Sequence, residues 1–226
     1  ALHQQALRRA RALGATLWTD AELLVAQQSP GGWTLAVSGD RSVRTRVLVD
    51  AAGAWADTVA QRAGLAPLGL QPRRRSAFTF EAPGHDHRGW PAVVAVDEGW
   101  YFKPDAGQLL GSPANADPVP AHDVVAEEID IATGIARIEE RTTLVIRRPR
   151  RTWAGLRTFA PDGELVIGAD PRAAGFFWLA GQGGYGIQSA AGAALLAEAL
   201  LLGMPMPPAL QIQGVQPERM SPARLI

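Results

Sequence analysis

The sequence predicts an α+β fold in which two kinds of structure are interleaved along the chain. Two stretches, VLVDAAGAWAD (47–57) and FFWLAGQGGYGIQ (176–188), run from an apolar strand through small residues into a helix. Between them, from Leu70 onward, longer strands separated by turn signals indicate an antiparallel sheet. We therefore predict three segments, 1–69, 70–150 and 151–226, of which the first and third share one α/β unit and the second forms a sheet domain.

The first segment is predicted to start with a helix and to continue as short strands. ALHQQALRRARALG has apolar residues at three- to four-residue spacing and ends at Gly14. Strands are predicted at ATLWT, ELLVAQ, WTLAVS and VRTRVLVDAAG. The apolar run 47–49 predicts a strand buried on both faces. It leads through Ala51, Ala52 and Gly53 into a helix, AWADTVAQRAG, that ends at Gly64.

The second and third segments are predicted from longer strands and two helices. LQPRRRSAFTFEA, PAVVAVD, GWYFKP and QLLGSP are predicted strands, with PDAG (104–107) as a hairpin turn and IATGIARIEER as a helix. The strands WAGLRTF, ELVIG and FFWLAG follow, and a helix from Ile187 ends near Gly203. A strand that passes through glycines into a helix presents backbone N–H groups to an electron-rich ligand.

The glycine loop of the third segment matches a dinucleotide-binding pattern by spacing alone. Gly181, Gly183 and Gly186 fit G-x-G-x-x-G between a strand and a helix. That fingerprint also requires a returning parallel strand with an acidic residue about twenty positions on. The segment after the helix, MPMPPALQIQ, is rich in proline and gives no strand signal. We therefore do not expect a Rossmann phosphate site here.

Composition excludes several classes of function. The 22 basic and 22 acidic residues give a net charge of zero, which does not support a nucleic-acid partner. There is no cysteine, and the four histidines are scattered, so we expect no metal site. No apolar run reaches transmembrane length. We expect a cytoplasmic or membrane-peripheral protein.

Several long motifs of the sequence resemble one enzyme family. WAGLRTFAPDG followed by FFWLAGQGGYGIQ resembles the C-terminal signature of the D-amino-acid oxidase and glycine oxidase superfamily of flavoenzymes, and VLVDAAGAWAD resembles its second flavin motif. Within that superfamily, LGLQPRRRSAF, YFKPDAGQLLGSPANADPV, DIATGIARIEE and MSPARL are most similar to enzymes of the D-arginine dehydrogenase type. The resemblance implies FAD as cofactor, so that the α/β unit is part of an FAD-binding domain and the antiparallel sheet is the substrate domain.

The resemblance also implies roles for individual residues. Arg157 matches the arginine that binds the substrate carboxylate, Tyr101 matches the tyrosine that shares it, and Arg74 matches a second active-site arginine. An arginine suits the first role because its planar fork pairs a carboxylate bidentately. The remaining expected residues line the substrate pocket (Ala92, Val94, Gly184) or meet the cofactor (Leu23, Ala51, Ala52, Gly53, Gly183, Gly184, Tyr185, Gly186, Ile187, Gln188).

The implied reaction is the oxidative deamination of D-amino acids, with cationic or varied side chains, by hydride transfer to the flavin N5 and on to an electron acceptor. A cationic substrate side chain would need a carboxylate partner in the pocket. Asp97 and Glu98 lie close to Tyr101 in sequence, but the sequence does not fix the direction in which either side chain points. Two alternatives stay open: a glycine- or sarcosine-type amine oxidase, and a non-catalytic remnant or one half of a split protein. The family begins with a strand and a glycine loop that bind the FAD pyrophosphate, and the sequence shows no such unit at its start. We therefore expect that a preceding segment or a partner chain is required.

Overall fold

The computed structural model describes residues 2–226, in which five α-helices and twelve β-strands are found. The helices are α1 (Leu2–Ala12), α2 (Ala56–Arg62), α3 (Glu128–Arg141), α4 (Gly186–Leu202) and α5 (Pro208–Ile212). The strands are β1 (Leu23–Ser29), β2 (Gly32–Val37), β3 (Arg41–Thr45), β4 (Leu48–Asp50), β5 (Gln71–Phe80), β6 (Val93–Val94), β7 (Tyr101–Asp105), β8 (Gln108–Ser112), β9 (Asp117–Pro118), β10 (Arg151–Phe159), β11 (Val166–Ala169) and β12 (Phe176–Ala180).

The strands form three sheets. β1, β2 and β3 make an antiparallel meander, and β11, β12 and β4 make a small sheet in which β12 and β4 are parallel. The largest sheet is antiparallel and has the order β10-β5-β8-β7-β6, with β9 added beside β5. The predicted combination of an α/β unit and an antiparallel sheet is confirmed.

Three groups of buried residues hold these sheets and helices together. One lies under α2 and the two small sheets, one lies between the large sheet and α3, and one joins α4 and α5 to β11 and β12. The largest fully buried side chains of these groups are Trp33, Trp178 and Phe176 in the first, Phe78, Phe80, Leu109 and Ile138 in the second, and Ile167 and Leu196 in the third. The core is therefore divided, and the large sheet has its own layer of packing against α3.

Several local predictions are confirmed by backbone geometry. The PDAG turn joins β7 to β8, and its Ala106 and Gly107 both have positive φ, as a tight hairpin turn requires. α4 ends at Gly203, which adopts the left-handed conformation with φ 62°. No strand follows α4 within residues 2–226.

Three predictions about the first segment are wrong. ATLWT forms no strand, and VRTRVLVDAAG is divided between β3 and β4, which belong to different sheets. The run 47–49 is not buried on both faces: Leu48 packs against the first core, whereas Val47 and Val49, which point to the other face, are each 39% exposed. A run of apolar residues does not show whether other elements cover both faces of the strand.

The strand WAGLRTF, which starts the third predicted segment, lies in the large sheet. β10 pairs with β5 along its whole length, from Arg151 opposite Thr79 to Phe159 opposite Gln71. The chain passes from this strand through a turn at Asp162 and Gly163 into β11 of the small sheet. The residues on β10 are therefore positioned by the sheet that also carries Tyr101. The division of the chain into three segments stays a prediction.

Candidate functional site

A cleft of about 370 Å³ opens on the face of the large sheet that is opposite α3. Strands β5, β7 and β10 provide its floor, and the loop after β12 forms one wall. The lining residues combine two arginines, one carboxylate and two tyrosines with small and apolar side chains: Arg75, Val94, Glu98, Tyr101, Ala114, Ala116, Arg157, Phe159, Gly184 and Tyr185. The structure therefore brings Arg157, Tyr101, Val94 and Gly184 together, as the sequence predicted.

Arg157 lies half-buried at the centre of this cleft. Its Nη2 donates a long hydrogen bond of 3.4 Å to the carbonyl of Asn115, and its Nε is buried without a hydrogen-bond partner in residues 2–226. Burial lowers the pKa of Arg157, and the neighbouring Arg75 cation lowers it further. No carboxylate in the described part of the chain pairs with it. Such an arginine has unused donors for an anionic ligand.

The three consecutive arginines of β5 point to opposite faces of the sheet. Arg73 lies directly opposite Arg157 in the β5–β10 register, so Arg73, Arg75 and Arg157 share the cleft face. Arg75 Nε donates to the carbonyl of Asn115 at 2.6 Å, and its guanidinium lies 5.9 Å from the centre of the Tyr101 ring. Arg75 therefore adds positive charge to the cleft beside Arg157.

Arg74 lies on the other face, against α3. It forms ion pairs with Asp117, Glu127 and Asp130, and only 13% of its side chain is exposed. The hydrogen bond to Glu127 raises the pKa of Arg74. The expected second active-site arginine is thus held by three carboxylates away from the cleft, and Arg75 lines the cleft instead. Strand alternation is the physical reason, because neighbouring residues cannot face the same side.

Of the two predicted apolar pocket residues, one lines the cleft and the other does not. Val94 pairs with Tyr101 across β6 and β7 and lines the cleft. Ala92 is exposed, precedes β6 and does not line the cleft. Ala114 and Ala116, which follow β8, are the small residues that border the arginines.

The glycine loop packs tightly against β10. Gly183 donates its N–H to the Thr158 carbonyl at 2.8 Å and has φ 52°, and a Cβ added to it would lie 2.7 Å from Phe159 Cε1. A Cβ on Gly184 would lie 2.9 Å from Arg157 Nη1. The small size of these two residues therefore lets the loop approach Arg157 and Phe159.

The start of α4 is open to a ligand. No side chain within residues 2–226 caps this helix, and its first-turn N–H groups, from Gly186 to Gln188, lie before any intrahelical acceptor. Ile187 is 86% exposed and Tyr185 is 59% exposed. The helix dipole makes this a favourable place for an electron-rich group.

The end of β4 carries a buried acid beside the other expected cofactor-contacting residues. Asp50 is 1% exposed; its Oδ1 accepts the Ala52 N–H at 3.1 Å, whereas its Oδ2 has no partner in the described residues. Burial raises the pKa of Asp50 to about 7. Ala51 is exposed, and Gly53 (φ 59°) has open space where a Cβ would stand. The predicted small-residue turn therefore exists and is accessible.

Leu23 starts β1, and its partly buried side chain packs against the first core. Its carbonyl accepts a hydrogen bond from Arg62. Within residues 2–226 there is also no group of three side chains that could hold a metal ion, and no helix is long and apolar enough to cross a membrane.

The comparison with known proteins identifies the family. Residues 1–199 match the family model described as DAO, FAD dependent oxidoreductase. The chain belongs to this family of FAD-dependent oxidoreductases. The cofactor of the DAO family is FAD, as the sequence motifs implied.

Several solved structures superpose well on the chain. Glycine oxidase from Geobacillus kaustophilus is 26% identical, with a TM-score of 0.72 over 87% of this chain and 52% of that one. Iminodiacetate oxidase from Chelativorans sp. BNC1 is 22% identical (TM-score 0.73, 98% of this chain and 57% of that one), and L-proline dehydrogenase from P. horikoshii is 21% identical (TM-score 0.75, 96% and 57%). The chain spans between about half and three fifths of the length of these proteins.

The residues of this DAO-family chain fit the edge of a flavin ring at one place. The uncapped start of α4 offers backbone donors next to the cleft, and Gly184 and Tyr185 of the glycine loop are exposed beside them. Backbone N–H groups at a helix N-terminus suit the ring edge that gains negative charge on reduction.

Sequence reasoning missed Arg75 and Phe159 as cleft residues and left the direction of Glu98 open. Strand alternation offered a signal for Arg75, because Arg73 and Arg75 must face away from Arg74. Which face carries the cleft depends on α3, which covers the side of Phe78 and Arg74. That choice is made by tertiary packing.

Proposed function

We propose that this chain carries the substrate-binding side of an enzyme that oxidatively deaminates D-amino acids with FAD. The observation that supports the proposal most directly is Arg157, a half-buried guanidinium with unused donors that lies against Gly184 of the glycine loop. Its charge is uncompensated within the described residues, so a bound carboxylate would stabilise it.

Each group of the site then has a physical task in this reaction. Arg157 binds the substrate carboxylate through its fork, and Tyr101 shares that carboxylate from β7. Arg75 strengthens the positive field from the neighbouring position on β5. The loop at Gly184 and Tyr185 forms the wall against which the amine and Cα are placed. Bound FAD supplies the two-electron oxidant for the Cα–H bond.

The preference for D-amino acids with cationic side chains is supported by the similarity of the LGLQPRRRSAF and YFKPDAGQLLGSP motifs to D-arginine dehydrogenase. The second candidate is a glycine- or sarcosine-type amine oxidase. It is favoured by the similarity to glycine oxidase and by the small residues Ala114 and Ala116 at the cleft.

A substrate panel separates these candidates. The chain is loaded with FAD, together with an N-terminal family segment if it does not retain FAD alone. Turnover of D-arginine, D-leucine, glycine and sarcosine is measured under nitrogen with an artificial electron acceptor and then in air. Faster turnover of D-arginine with the acceptor supports the dehydrogenase, whereas a preference for glycine or sarcosine supports the second candidate.

The role of Arg157 is tested by Arg157→Lys, which keeps the charge but removes the bidentate fork. We expect kcat/KM to fall by about thirtyfold to a thousandfold, which corresponds to roughly 2–4 kcal/mol of lost transition-state stabilisation. Arg73→Lys is the matched control, because Arg73 is the register partner of Arg157 on the same face but does not line the cleft. Normal kcat/KM in Arg157→Lys would rule out the carboxylate role.

A further inference from the structure

The single carboxylate of the cleft, Glu98, sits at the tip of the turn between β6 and β7. The Glu98 N–H donates to the Ala95 carbonyl at 2.9 Å, and the Ala95 N–H donates to the Trp100 carbonyl at 3.0 Å. Glu98 has φ 55°, which is uncommon for a residue with a side chain. The turn therefore holds Glu98 in a defined place at the mouth of the cleft.

Neighbouring acids do not share this position. Asp97 Oδ1 accepts the Gly99 N–H at 2.9 Å, so this side chain folds back on its own turn and does not line the cleft. The carboxylates that pair with Arg74 lie on the opposite face of the large sheet. Glu98 is thus the one acidic side chain among the cleft residues, and it is exposed.

The charges of the cleft are separated. Arg75 and Arg157 lie on the floor beside the glycine loop, and no ion pair within 4 Å joins either of them to Glu98. A cleft with a cationic floor and a separate carboxylate at its mouth is complementary to a ligand that carries an anion at one end and a cation at the other.

We propose that Glu98 binds the cationic side chain of the substrate and so determines the preference for guanidinium or ammonium groups. This proposal rests on the proposed function, because it takes the α-carboxylate to be held at Arg157. With that end fixed on the floor, the side chain of an arginine or lysine substrate extends to the mouth of the cleft, where Glu98 has no competing partner in residues 2–226. A charge-assisted hydrogen bond formed there discriminates against apolar side chains.

The test compares Glu98→Gln with Asp97→Asn in the FAD-loaded protein. Both variants remove one negative charge from adjacent residues, and both amides keep an oxygen acceptor, so only the cleft contact differs. Binding of the keto acids of arginine and of leucine is measured by titration calorimetry. These probes lack an amine, so they report on the carboxylate and the side chain alone.

In Glu98→Gln we expect the keto acid of arginine to bind about tenfold more weakly, the loss typical of one charge-assisted hydrogen bond, with little change for that of leucine. Asp97→Asn should change neither. In turnover, kcat/KM for D-arginine should fall by about tenfold while that for D-leucine is kept.

Three results would overturn the proposal. Equal weakening for both keto acids would mean that Glu98 acts on the cleft as a whole. If turnover of D-arginine and of D-leucine is lost together while keto-acid binding is unchanged, Glu98 interacts with the α-amine of the substrate and not with its side chain. If neither keto acid binds the unsubstituted protein, the carboxylate site at Arg157 fails, and the proposed function fails with it.

Discussion

The buried acid at the end of β4 gives a prediction that does not depend on turnover. Asp50 is paired in register with Trp178 of β12 and is almost fully buried, with one carboxylate oxygen left without a partner in the described residues. Burial raises the pKa of Asp50 from 3.8 to about 7, and the nearby Asp57 charge acts in the same direction. At neutral pH the fold therefore stands close to the point at which this carboxyl ionises.

The sign of the effect follows from proton binding. Between pH 4 and pH 7, roughly, the folded chain binds a proton at Asp50 that the unfolded chain has released, so stability falls as the pH rises. Between pH 5 and pH 8 the folded chain holds this extra proton over about two pH units before Asp50 ionises. At about 1.4 kcal/mol per pH unit, the free energy of unfolding falls by close to 3 kcal/mol. Above about pH 8 it is constant.

The measurement is urea unfolding of the original protein and Asp50→Asn at pH 5 and pH 8. An amide does not ionise, so Asp50→Asn should lack this fall in the free energy of unfolding. Relative to the unsubstituted protein, the variant should therefore be about 3 kcal/mol more stable at pH 8 than at pH 5. The exposed Asp123 provides the control, since Asp123→Asn removes the same charge without a change in burial. If Asp50→Asn and the original protein show the same pH dependence, Asp50 is ionised in the fold at pH 5 and the argument from burial is wrong.

Three further predictions concern the cleft and the cofactor. Gly184→Val should displace Arg157 and lower the FAD occupancy that remains after desalting. Gly155→Ala on β10 is the control and should do neither, because a Cβ there meets nothing within 4 Å. Equal FAD occupancy in both variants would mean that the loop does not contact the flavin. Arg74→Met should lower the free energy of unfolding by roughly 2–3 kcal/mol, because it removes the partner of carboxylates that are only partly exposed to water. It should leave kcat/KM unchanged. Unchanged stability with a lower kcat/KM would mean that Arg74 acts in the active site. The 226-residue chain alone should bind FAD weakly in a fluorescence titration, because the glycine loop and the start of α4 are exposed to water; tight stoichiometric binding with D-arginine turnover would contradict this.

The sequence by itself was enough to predict the elements whose geometry is local. The PDAG hairpin, the helix that ends at Gly203 and the strand–glycine–helix junction near Gly183 all depend on residues close together in the chain. Long motifs such as FFWLAGQGGYGIQ also indicated the family and its cofactor, because a run of consecutive residues can be recognised without knowledge of the fold. Arg157 and Tyr101 were predicted on the same basis.

The tertiary structure decided what depends on neighbours that are distant in the chain. Which of the consecutive arginines enters the cleft was settled by the side of β5 that α3 covers. Arg74 pairs with carboxylates from β9, from α3 and from the residue directly before α3. The exposure of Val47 and Val49 was decided by the packing of β4, because the core covers only the face that carries Leu48. Periodicity shows that a strand has two faces, but only the packing of other elements determines which face is buried and which is left to bind a ligand.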